Sequence, residues 1–101
     1  MARKVMVRYK VKADRAEENA AYIQRVFEEL AQTQPEGLRY ACFRQNDGVS
    51  FVHIALIDTA NNPLAETAAF KVFQAEIKDR CEELPVAVAL EEVGSYRCFG
   101  S

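Results

Sequence analysis

An α+β fold is predicted by three observations. Period-two apolar stretches flank a helix-period stripe in the first half of the chain, the same strand, helix, strand order returns in the second half, and a strong turn signal joins the two. The order strand, helix, strand, strand, helix, strand is the split βαβ pattern of a ferredoxin-like fold: a four-stranded, antiparallel-dominated sheet with two helices on one face. A length of 101 residues suits a single domain over 1–101, with little room for a second core.

The first strand is marked by Val5, Val7, Tyr9 and Val11 alternating with Met6, Arg8, Lys10 and Lys12. Asp14 is placed to cap a helix, with Glu17 three residues on completing a capping box. Ala16, Ala20, Ile23, Phe27 and Leu30 form its apolar stripe, and Pro35 and Gly37 stop it. A hairpin follows, Leu38 to Gln45 and Val49 to Asp58, turned at Asn46-Asp47-Gly48. After the turn formers 59–63, the stripe Phe70, Phe73, Ile77, Cys81 and Leu84 predicts a second helix ended by Pro85, and Val86 to Leu90 reads as the last strand. The tail contains Tyr96, Cys98 and Phe99, which are expected to cross to a partner subunit.

Half of the residues are hydrophobic, 28% are charged and the net charge is −2, so there is no basic field to attract nucleic acid or an anionic membrane. Three widely spaced cysteines, Cys42, Cys81 and Cys98, form no CxxC and have no histidine partner at zinc-ligand spacing. They argue against a disulfide framework and a metal site, and for a reducing, cytoplasmic location. The start of the chain, Met1 to Val5, runs straight into the first strand without an apolar leader.

Right-handed crossovers put both helices on one face and leave the other bare. If Val5, Val7, Tyr9, Val52, Ile54 and Leu56 face the helices, the bare face shows Met6, Phe51, His53, Ala55 and Ile57. An apolar patch of that kind predicts a homodimer packed sheet to sheet.

The chain resembles the dimeric α/β-barrel superfamily, in particular the antibiotic biosynthesis monooxygenase-like (ABM domain) proteins. The likeness rests on Gly37-Leu38-Arg39-Tyr40 entering the hairpin, Phe51-Val52-His53 in the third strand, Asn62-Pro63-Leu64 with Phe70 and Phe73, and Val93-Gly94-Ser95-Tyr96. The resemblance implies two sheets enclosing a ligand-size lumen. It also implies an activity found in that group, cofactor-independent oxygenation of a phenolic or quinol-type small molecule. The Asn/Trp/His set of its haem-degrading branch does not map onto this chain, which has no tryptophan and whose only histidine lies on a strand.

That histidine, His53, is the first candidate catalytic residue. In such a lumen it would be lined up with Met6 and Arg8 from strand one and with Phe51 and Ala55 from its own strand. Strand two offers either Tyr40 and Cys42 or Arg39, Ala41 and Phe43, and alternation leaves both faces open. With strands one and three adjacent and parallel, Arg8 would sit beside His53. The neutral ring would take a proton from a phenol or enol while the guanidinium stabilises the oxyanion, and neither metal nor flavin would be required. A ring hydrogen-bonded to Tyr40 or to backbone at a dimer interface accounts for His53 equally well. The alternative function is a non-catalytic small-molecule-binding or accessory dimer.

Overall fold

A computed structural model describes residues 3–98. Met1, Ala2 and Phe99, named above in the leader and tail readings, lie outside them. The elements are β1 (Arg3–Val11), α1 (Ala16–Thr33), β2 (Leu38–Arg44), β3 (Ser50–Ile57), α2 (Ala68–Ala75), α3 (Ile77–Arg80) and β4 (Cys81–Ala89). They form one sheet in the order β2-β3-β1-β4, antiparallel at every pairing, which is the predicted ferredoxin-like arrangement. Among the described residues, no helix is long and apolar enough to cross a membrane.

The start of α1 differs from the capping box read in the sequence. Asp14 lies in a 3-10 turn, Ala13–Arg15, closed by the Arg15 amide on the Lys12 carbonyl at 2.9 Å, and no side chain caps α1. Glu17 instead accepts from Arg44 at 2.9 Å, and Glu18 from Arg15. The helix ends as expected before Pro35, with Gln34 left-handed and its amide on the Leu30 carbonyl. The buried line of α1 is Ala16, Asn19, Ile23 and Val26, with Phe27 and Leu30 half-buried beside it.

The second helical region is shorter than its stripe. It breaks at Glu76, and the chain enters β4 at Cys81, so Cys81 and Leu84 are strand residues and Pro85 lies within the strand instead of ending the helix. β4 is an edge strand, where a missing amide can face away from the ladder. Around Pro85 the pairing with β1 slips, Arg8 opposite Val86 but Lys10 opposite Glu83 and Val11 opposite Cys81, as bulges do. The amino end of α2 is held by α1: the Glu29 carboxylate accepts from the Ala68 and Ala69 amides at 3.1 and 2.9 Å, satisfying donors that a helix start leaves open.

Strands one and three run antiparallel, correcting the parallel expectation, and the register fixes both faces. Val5, Val7 and Tyr9 stand opposite Ala55, His53 and Phe51, and all of these face the helices. The outer face carries Met6 and Arg8 with Ile54 and Val52, flanked by Ala41 and Phe43 of β2 and by Val86 and Val88 of β4. The orientation read for β1 was therefore right and that of β3 was inverted: Phe51, His53, Ala55 and Ile57 are buried and Val52, Ile54 and Leu56 point outward, half-exposed. The polar ring decides this, since both of its nitrogens find partners on the helix side.

Candidate active site

A cavity of about 330 Å³ lies inside one chain, between the helix-facing side of the sheet, the segment 62–65 and α2. It is not the expected lumen between two sheets. Its walls are mostly apolar: Val5, Val7, Ala55 and Ile57 from the sheet, and Leu64, Phe70, Phe73 and Ile77 opposite. Phe70 and Phe73 pack on the core and also line the cavity, with ring centroids 5.7 Å apart. Polar groups enter the wall at Tyr9, Tyr40, His53, Asn62 and Gln74.

Each of the central three is placed by register. Val7 pairs with His53 and Cys42 pairs with His53 across the other edge, so Tyr9 and Tyr40 flank the imidazole diagonally from β1 and β2. Tyr9 Oη lies 2.8 Å from His53 Nε2, and the Tyr40 hydroxyl contacts Nδ1. The ring also packs against Phe73, with centroids 5.5 Å apart. Behind Tyr9 the chain of polar contacts continues into the core: Asn19 Nδ2 donates to Tyr9 Oη at 2.9 Å, and Arg80 Nε donates to Asn19 Oδ1 at 3.1 Å.

Burial sets the protonation of these groups. His53 is 5% exposed, and desolvation lowers its pKa to about 4, so the ring is neutral at pH 7. Burial likewise raises both tyrosines well above the usual phenol value, although the Asn19 hydrogen bond works against it at Tyr9. Burial pushes the Cys42 thiol up to about 12. The wall is thus a set of neutral donors and acceptors in apolar surroundings.

Of the candidate residues read in the sequence, His53, Tyr40 and Ala55 line this cavity together. Strand two resolves to its Tyr40 and Cys42 face, although Cys42 stays behind the wall. Phe51 is buried beneath Tyr9, the rings stacked at 5.6 Å, and is not part of the wall. Met6 and Arg8 are corrected. They lie on the outer face, Arg8 opposite Val52, so the guanidinium is not beside His53 and does not depress its pKa. Tyr9, Asn19 and Arg80 were missed. Asn19 and Arg80 each interrupt an apolar helical line at a core position, and that was the available signal.

No protein-family profile and no curated protein sequence matches the chain. Solved structures do. One is a protein of Nitrosomonas europaea provisionally named antibiotic biosynthesis monooxygenase, at TM-score 0.74 and 20% identity over 91% of this chain and 90% of that one. Rv0793 of Mycobacterium tuberculosis aligns at 0.72 and 12% identity over 94% and 98%. A variant of SnoaB, a cofactor-independent oxygenase from Streptomyces nogalater, aligns at 0.68 and 14% over 93% and 95%. With agreement over nearly the whole length of each chain, the protein has the ferredoxin-like α+β fold of the antibiotic biosynthesis monooxygenase-like proteins.

Proposed function

We propose that the protein is a cofactor-independent monooxygenase of a small phenolic or quinol-type molecule bound in the cavity beside His53. The observation that carries this reading is a neutral imidazole held between two tyrosine hydroxyls on the wall of an apolar, ligand-size cavity. The likeness to a cofactor-independent oxygenase supports it. The substrate hydroxyl gives its proton to the tyrosine and histidine relay, and the remaining tyrosine hydroxyl donates to the phenolate oxygen. The electron-rich ring carbon then bonds to dioxygen. Loss of the ring hydrogen as a proton and cleavage of the O–O bond release water, so a phenol and dioxygen give a quinone and water. The substrate supplies all of the electrons.

Naphthol is a probe of suitable size. Oxygen uptake with naphthol, and incorporation of one atom of isotopically labelled dioxygen into the quinone, are the expected results. His53→Gln is expected to lose roughly 100-fold or more of that rate. Thermal stabilisation by naphthol without any oxygen uptake would instead favour the non-catalytic binding protein.

We also propose that a second copy covers the outer face of the sheet. Met6, Ala41, Val52, Ile54 and Leu56 are only half-buried there, and Phe43, Val86 and Val88 are exposed, a contiguous apolar area of the kind that soluble domains cover. Beyond β4 the tail is exposed, with Val93 at 95% and Tyr96 at 81%. Sedimentation at micromolar concentration is expected to give a dimer, and a stable monomer would overturn this assignment.

A further inference from the structure

Arg80 is fully buried at the end of α3, and among the described residues it has no ion pair. Its guanidinium is held by Asn19 Oδ1, by the Phe73 carbonyl at 2.7 Å and by the faces of Tyr22 and Phe73, 4.5 and 5.3 Å from the ring centroids. A guanidinium has donors and no acceptor. It therefore turns the amide oxygen of Asn19 toward itself and the amide NH2 toward Tyr9. The Tyr9 oxygen already accepts from that amide at 2.9 Å, so its one hydrogen goes to the other group in reach, His53 Nε2 at 2.8 Å. Nε2 must then be the unprotonated ring nitrogen. The hydrogen sits on Nδ1 and is donated to Tyr40, which keeps its own hydrogen for the cavity it lines.

We propose that Asn19 and Arg80 are positioning residues that hold His53 in its Nδ1–H tautomer and so set the direction of the whole relay. Nε2, through Tyr9, becomes the nitrogen that takes up a proton, and Tyr40 becomes the hydroxyl that donates to the ligand oxygen. The opposite tautomer would place Nε2–H and the Asn19 amide on the same Tyr9 oxygen and leave the unpaired hydrogen on Tyr9, 5% exposed, whereas the Nδ1–H form leaves it on the half-buried Tyr40, the more open of the two. That arrangement is disfavoured by roughly tenfold or more. The use of this tautomer in turnover rests on the oxygenase reading above, whereas the tautomer itself does not.

His53 is the only histidine in the chain, so the imidazole nitrogen resonances of tag-free, nitrogen-15-labelled full-length protein are assigned without mutagenesis. At pH 7 the Nδ1–H form is expected in about tenfold excess. Asn19→Asp replaces the donor facing Tyr9 with an acceptor; Tyr9 then donates to the carboxylate and the ring is expected to switch to Nε2–H. Arg80→Met frees the amide to rotate and is expected to reduce the excess. A predominantly Nε2–H ring in the unmodified protein, or an undiminished Nδ1–H form in folded Asn19→Asp, would overturn the assignment. If Asn19→Asp does not fold, the resting tautomer and Arg80→Met decide it. The expected tautomer together with no oxygen uptake from naphthol would remove the oxygenase reading alone.

Discussion

Between pH 6.5 and about 4 the folded state is expected to lose roughly 3 kcal/mol of stability through His53. The unfolded chain binds the proton near 6.5, whereas burial holds the folded ring neutral down to about 4. The unfolded state therefore binds more protons throughout that window, and stability rises with pH across it. The contribution is complete above 6.5 and lost progressively as the pH falls toward 4. The groups around the ring, Tyr9, Tyr40 and Cys42, are all shifted upward and stay neutral, so none of them offsets the imidazolium charge. Chemical denaturation at pH 7 and pH 4.5 checks this against His53→Gln, which keeps a polar side chain but cannot titrate. Glu18 and Asp47, both with lowered pKa values, titrate in both proteins and cancel in the comparison. An equal acid loss in the variant would show that His53 is not the source.

Arg80→Ala is expected to cost about 3–5 kcal/mol, enough to unfold a marginal domain. The change empties a fully buried volume, strips the packing from Tyr22 and Phe73, and leaves the Asn19 amide oxygen and the Phe73 carbonyl without donors. The Phe73 carbonyl matters because it lies in the last turn of α2, where the helix no longer supplies an amide. Arg80→Met retains most of the side-chain volume and removes the buried charge with its desolvation cost, so its loss is expected to be smaller. Denaturant midpoints of the two variants give the comparison. A loss below about 1 kcal/mol in Arg80→Ala would mean that the guanidinium does not hold this corner of the core.

The sequence carried the architecture because its strong periodicities agree with its turn residues. β1 could be oriented because Arg8 and Lys10 mark its wet side. β3 could not, since Phe51, Ala55 and Ile57 on one face are balanced by Val52, Ile54 and Leu56 on the other, and alternation without contrast fixes no direction. A one-residue error in phase transfers every side chain to the wrong face. That single inversion moved the site from inside the chain to the space between subunits, and it brought Arg8 to His53 on paper when the register separates them. The contact between Tyr40 and His53, offered by the sequence as a way to satisfy the ring, is present. The rest of the relay depends on pairings between separate elements, Asn19 with Tyr9 and Arg80 with Asn19 across 61 positions, that no local pattern encodes. In the second helix, Phe70, Phe73 and Ile77 carry a true helical period; Cys81 extended it only because it is buried by the sheet in its own right.

The irregular pairing of β4 around Pro85 has a consequence for how copies of the chain can meet. An added strand needs evenly spaced amides and carbonyls along a free edge, and this edge interrupts that spacing twice and lacks one amide. Lateral growth of the sheet into a filament is therefore disfavoured on the β4 side, even though its side chains are among the most apolar on the surface.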